Sequence, residues 1–201
     1  MSEIIRPKRR LKLYRALQIG YLRNERKQRK RLKRFGYVLD PELSTTERTV
    51  AYSPTQNKVI YIVNGSETEP LNNPRQFLKD WAHNLIAIPT GTYKLTPRYR
   101  QEYQNFRLAK DKYKDARFTV VGHSQSAQLS HALPQKNDVG ISLDPALINQ
   151  KPRPNVYNYR TDGDFVSAFA NDTKTLSNPS KSPNPYQAHD IENIKNKPIY
   201  V

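Results

Sequence analysis

The chain has 201 residues, a 36% hydrophobic fraction, no cysteine and a formal net charge of +16 at pH 7. The missing cysteine excludes a disulfide framework and a thiolate metal site. No apolar run approaches the roughly 20 residues that span a bilayer, and the N-terminus is too basic and too interrupted for a secretory signal, so the sequence reads as a protein not exported by that route, with the cytoplasm as its expected compartment.

The charge is uneven. Residues 1–40 carry 14 Lys/Arg against 3 Asp/Glu, whereas residues 41–201 carry 20 against 15. The length suits one domain plus an arm, and the division falls near Asp40: residues 1–40 as a basic arm and linker, residues 41–201 as the folded domain. Within the arm, Leu11, Tyr14, Leu17 and Tyr21 or Leu22 recur at helical spacing and predict a short amphipathic helix. From Arg23 to Arg31 there is no apolar residue, so that stretch cannot bury a face. Arg9, Arg10, Arg26, Lys27, Arg29, Lys30, Arg31, Lys33 and Arg34 are the candidate contacts to nucleic acid or another anionic surface such as an acidic protein or capsid, in a salt-sensitive and sequence-independent manner. Gly36 and Pro41 punctuate the linker.

Thr49–Tyr52 predicts a strand, residues 53–57 a hairpin turn, and Lys58–Val63 a second strand rich in β-branched residues. Asn64-Gly65-Ser66 follows as a turn. Residues 74–86 predict a helix carrying Phe77, Trp81 and Leu85 on one face, with His83 as a surface or interface residue. Tyr99, Tyr103, Phe106 and Tyr113 keep helical phase over residues 98–114. Phe118–Val121 is a short apolar run, read as a buried strand. It leads into Gly122-His123-Ser124-Gln125-Ser126 and a helix-compatible stretch from Ala127 to Leu133.

That strand–turn–helix context is the setting of a nucleophile elbow, in which a strained turn exposes a serine Oγ above the sheet edge. The N–H groups opening the following helix lie where an oxyanion would form. Glycine is wanted on both sides of the serine; here the first is Gly122 and the second position holds Ser126. Past the elbow, Val139–Leu143 and Asn155–Tyr159 read as strands, ending in Asp144 and in Asp162-Gly163-Asp164. The order of elements predicts an α/β fold, a mostly parallel sheet with helical crossovers, with those acids at its active edge. Residues 170–185, rich in Asn, Ser and Pro, read as a loop, and residues 188–194 as a final short helix or turn.

A nucleophilic serine needs a base and an acid to orient it. In hydrolase order the base comes last, which selects His189; His123, as the residue before the serine, is expected to point away from it. Asp144, Asp162 and Asp164 all remain candidates for the acid. Asp-Gly-Asp is a weak cation-loop pattern without a second acidic cluster, so neither a metal nor a cofactor is expected.

Several segments together resemble the class 3 (fungal-type) lipases of the α/β-hydrolase fold. Val59–Ser66 resembles their strand followed by Arg-Gly-Thr, and Asp80-Trp81-Ala82-His83-Asn84-Leu85 their Asp-Trp-x-x-Asp-Leu. Val121–Ala127 resembles their Gly-His-Ser-Leu-Gly-Gly elbow, Tyr159–Ser167 their Asp-x-Val-Pro segment, and Ala188–Asn193 their late histidine segment. The resemblance implies Ser124 as nucleophile, His189 as base, Asp164 as orienting acid, and Ser66 with the Gln125 backbone as oxyanion hole. Asp144 is a rival acid, because Leu143–Ala146 is similar to the acid-bearing segment of pancreatic-type lipases. It also implies a serine ester hydrolase acting on a lipid or other acyl ester, held by its arm on an anionic partner. The alternative expectation is a non-catalytic structural protein on a hydrolase scaffold. Compact lipase-like domains also occur among proteins of large double-stranded DNA viruses, so a virion-packaged protein binding nucleic acid or capsid through its arm is a further expectation.

Overall fold

A computed structural model describes residues 10–65, 92–146, 150–164, 166–168, 170, 173–176 and 188–201. The helix expected over 74–86, with His83, and the expected oxyanion residue Ser66 lie outside these.

Among the described residues, seven strands form one sheet in sequential order: β1 (Val38–Leu39), β2 (Arg48–Ser53), β3 (Lys58–Val63), β4 (Arg117–His123), β5 (Val139–Leu143), β6 (Val156–Thr161) and β7 (Thr173–Leu176). β1, β2 and β3 pair antiparallel, β2 and β3 through the 53–57 turn. From β3 to β7 every pairing is parallel. β7 lies within the stretch expected to be loop. Its four residues, Thr-Lys-Thr-Leu, are only half-buried or exposed, so pairing with β6 rather than an apolar pattern makes them a strand.

Parallel strands added one after another with right-handed crossovers put their helices on the same face. Helices α3 (Pro97–Lys112) and α4 (Ala127–Ala132) do so: Phe106, Ala109, Leu129 and Leu133 pack on Val59, Tyr61, Val63, Phe118 and Val120. Arg48 of β2 and Glu102 of α3 form a buried ion pair at 2.6 Å, and the Tyr61 hydroxyl donates to the same carboxylate.

That arrangement leaves the other face, with Ile60, Ile62, Val121, Ile141 and Leu143, in need of cover. The cover is the N-terminal segment. Helix α1 (Leu13–Gly20) buries Leu13, Tyr14, Ala16, Leu17 and Ile19 there, and α2 (Glu25–Lys33) turns back with Gln28 and Leu32 inward. The described part of the expected arm, residues 10–40, is therefore a layer of the domain and not an appendage. The amphipathic helix is where periodicity put it, but its apolar stripe is core. Gly20 allows the close approach: a Cβ there would lie 2.7 Å from Asn64 Oδ1 and 2.7 Å from Ile62 Cγ2. Residues 11–13 and 199–201 are laced together, with Leu13 N–H donating to Ile199 O at 2.8 Å and Val201 N–H to Leu11 O at 3.0 Å. The cations of α2 keep to its outer side; Arg26, Lys27, Arg29, Lys30 and Lys33 are exposed.

Candidate active site

Parallel strands deliver their C-terminal ends to one edge, and the candidate residues gather there. β4 ends at His123, and Ser124 opens a single 3-10 turn (Ser124–Ser126) before α4. Ser124 has φ +58, in the left-handed region that a non-glycine residue adopts at a cost of about 1 kcal/mol or more. Gly122 makes the turn possible: a Cβ there would sit 2.6 Å from the Ser126 carbonyl oxygen.

Ser126, the departure from the usual second glycine, is accommodated by its own hydrogen bonds. Its hydroxyl accepts from the His123 N–H at 2.9 Å and lies 2.7 Å from the Val63 carbonyl as donor. It thus ties the end of β3 to the elbow.

The acid and base come from the next strands. Asp164 follows β6 across a turn containing Gly163 at φ +81. Its carboxylate accepts from the N–H groups of Val166 (3.2 Å) and Ser167 (2.7 Å) and from the Ser167 hydroxyl. His189 Nδ1 lies 2.9 Å from Asp164 Oδ1. Both residues are buried. Burial alone would lower the pKa of His189, but the hydrogen bond to Asp164 and the charges of Asp164 and Asp144 outweigh it, and the net direction is upward. Burial likewise works to raise Asp164, yet the bonds from His189 and Ser167 hold it below the ordinary carboxylate value.

Asp144, one residue past β5, is fully buried at φ +45. Its carboxylate accepts from Thr161 N–H at 2.5 Å and from the Thr161 hydroxyl at 3.1 Å. Burial, followed by the nearby charge of Asp164, pushes its pKa up to about 7. The two rival acids are thus both at the site, but the imidazole hydrogen bond belongs to Asp164. Asp162 bonds through its backbone to Leu176 of β7.

Contrary to expectation, His123 faces the site. Its ring stacks on that of His189, centroids 4.8 Å apart. Its Nε2 lies 3.2 Å from the His189 carbonyl oxygen and its Nδ1 lies 2.9 Å from the Tyr21 hydroxyl. That hydroxyl accepts from the Gly65 N–H at 3.1 Å, so its own proton turns to His123 Nδ1. His123 then carries its proton on Nε2 and donates to the His189 carbonyl. Burial, with the His189 charge behind it, pushes the His123 pKa down to about 3, so the ring is neutral. A relay runs Gly65 → Tyr21 → His123 → His189, linking the loop after β3, the N-terminal layer, the elbow and the candidate base. We expect Tyr21→Phe to leave Gly65 N–H and His123 Nδ1 unpaired, lowering unfolding stability by about 1–3 kcal/mol in urea denaturation and releasing the His123 tautomer, read by nitrogen NMR of the imidazole.

His123, Asp144 and His189 each offer one donor atom within 4.8 Å of the others. A tetrahedral ion with ligands at about 2.0–2.2 Å would need a tighter trio. Both His123 nitrogens and both Asp144 oxygens already hold hydrogen bonds, so the cluster reads as a polar network around an imidazole.

On the far side of the elbow, Arg98 of α3 donates to Gln125 Oε1 at 3.0 Å and to the Asn64 carbonyl at 2.5 Å. Gln125 is in the first turn after the serine, where N–H groups lack intrahelical partners. The Ser124 hydroxyl makes no hydrogen bond to a described residue. Of the other histidines, His131 lies on α4 with its ring against the Lys151 carbonyl, away from this network.

No protein-family model and no curated protein matches the chain. Its seven-stranded, mostly parallel sheet with helices is compatible with an α/β-hydrolase-like fold. Among solved structures it is similar to the crystal structure of Lip2 lipase from Yarrowia lipolytica, with a TM-score of 0.50 and 11% identity over 82% of this chain and 76% of that one. At that identity the likeness defines the fold, which is lipase-like. Among the described residues no helix is long and apolar enough to cross a membrane.

Proposed function

We propose that this chain is a serine ester hydrolase of lipase or phospholipase type. The observation that carries the reading is the buried His189–Asp164 couple, 2.9 Å apart, at the same sheet edge as a serine in a strained strand-to-helix turn. Ser124 Oγ attacks the ester carbonyl and His189 Nε2 takes its proton. Asp164 holds the proton on Nδ1 and stabilises the imidazolium that forms. The Gln125 N–H supplies one oxyanion donor, and the second is assigned to the Ser66 segment. The serine–histidine hydrogen bond forms as substrate is bound, since such bonds are commonly long in unliganded sites. His189 returns the proton to the leaving alcohol, and water repeats the sequence on the acyl enzyme. The Ser126 bonds favour a working elbow over a disabled scaffold. The exposed cations of α2 serve to hold the enzyme on an acidic protein surface.

A fluorophosphonate probe is expected to label the wild-type protein and not Ser124→Ala. Hydrolysis of a p-nitrophenyl ester should fall by about 10³-fold or more in that variant. Folded wild-type protein that neither labels nor hydrolyses would overturn the reading.

A further inference from the structure

The sheet edge opposite the candidate active site holds a second feature. A groove of about 1090 Å³ opens at the amino ends of β3 and β4, and its walls include Lys58, Lys110, Lys114, Arg117 and Lys136. Ser124 lies seven positions past Arg117 along β4, about 23 Å at the rise of a β-strand, so this is not part of the ester site. Two acids also line it. Asp138 is buried, paired with Lys110 at 3.0 Å, and accepts from the N–H groups of Phe118 and Gln135. Its charge is consumed within the fold, which leaves Asp115 against the remaining four cations. None of Lys58, Lys114, Arg117 or Lys136 forms an ion pair with a described residue.

The strand register sets two of these cations side by side. Lys58 and Arg117 are direct cross-strand partners, the first pair of the β3–β4 ladder. Like charges placed opposite one another destabilise a sheet. Burial, then Arg117 and Arg10, lower the pKa of Lys58. Two central strands thus begin with a repulsive pair, and an anion in the groove would relieve it.

We propose that this groove binds the phosphate backbone of a nucleic-acid duplex. The four cations are spread over β3, the turn after α3, β4 and the 134–138 turn, which suits a line of phosphates better than one phosphate group. No aromatic side chain among the described residues lines it, so these residues offer no platform for stacked bases, and recognition is through the backbone and independent of sequence. The proposal does not rest on the ester-hydrolase reading.

The test is fluorescence anisotropy with a labelled DNA duplex, titrated with the full chain over a range of salt. Lys114, Arg117 and Lys136 are exposed, so joint Lys114→Gln, Arg117→Gln and Lys136→Gln substitution should leave the melting temperature near wild type. We expect it to weaken binding about tenfold or more and to flatten the plot of log K against log salt by nearly 3, at about 0.9 for each phosphate no longer neutralised. Arg26→Gln, Lys27→Gln and Lys30→Gln on α2 remove the same charge and should cost clearly less. A groove variant with the wild-type slope, or an α2 variant that weakens binding as much, overturns the proposal. So does tighter binding to vesicles of anionic phospholipid than to the duplex. Lys58→Gln is an independent check: it should raise the melting temperature while weakening DNA binding. A rise with unchanged binding overturns the proposal.

Discussion

Asp164→Asn is expected to lower ester hydrolysis by about 10⁴-fold, the scale seen when an amide replaces the acid of a serine triad and favours the wrong tautomer. Asp144→Asn is expected to lower it less than about tenfold. The difference follows from what each carboxylate touches. Asp164 holds His189 Nδ1 and is itself held by Ser167, whereas the Asp144 oxygens face Thr161. The pH profile gives a second readout. His189 acts as a base only when neutral, and its pKa lies above the ordinary value of 6.5, so kcat/KM should rise with pH through a value above 6.5. Removing the Asp164 charge should move that limb to lower pH. Stability separates the acids as well. The lowered Asp164 contributes stability that is present above its ordinary 3.8 and lost as pH falls. The raised His189 contributes stability that is full below 6.5 and lost as pH rises through its folded value. Asp144, raised to about 7, costs stability progressively from 3.8 up to about 7. Asp144→Asn, whose amide can still face both Thr161 groups, should therefore stabilise the protein by on the order of 2 kcal/mol at and above neutral pH, and little at pH 4. Thermal melting across pH checks this. A 10⁴-fold loss in Asp144→Asn with activity kept in Asp164→Asn would transfer the orienting role to Asp144.

What the sequence revealed, and what it hid, divides along local and non-local physics. β3, β4 and β5 were legible because β-branched runs bounded by turn residues need no distant information, and β3 begins and ends where expected. The elbow was legible because a glycine, a serine and a small residue at fixed spacing describe a local turn. The direction of His123 is not legible in the sequence because it depends on what stands across the sheet edge, namely the His189 ring and the Tyr21 hydroxyl. In the sequence Tyr21 is one apolar position of a helix, and nothing near it points to Gly65 or His123. β7 was hidden because its residues carry no alternation. The placement of α1 did have a signal. β3 is apolar on both faces, Val59, Tyr61 and Val63 on one and Ile60 and Ile62 on the other, and a strand of that kind needs two covering layers. The crossover helices supply one. The apolar stripe within the highly charged residues 1–40 supplies the other.

That second layer carries the other large prediction. A chain beginning after Leu22 is expected to lose cooperative unfolding, because it uncovers the face formed by Ile60, Ile62, Val121, Ile141 and Leu143. Leu17→Ala in the full chain is the graded version. Leu17 is 1% exposed in the centre of that layer, and a large-to-small change at such a site costs about 2–5 kcal/mol, measured by urea denaturation. Neutralising the exposed cations of α2 should change stability by no more than about 0.5 kcal/mol. The contrast separates the apolar stripe from the charge that surrounds it. A truncated chain that still melts cooperatively and still reacts with a fluorophosphonate would restore the N-terminal segment to the status of an arm. The expected outcome instead makes it a structural requirement of the site, since Tyr21, one residue past α1, is the link between Gly65 and His123. Losing the helix would remove both the cover of the sheet and the hydrogen bond that sets the tautomer beside His189.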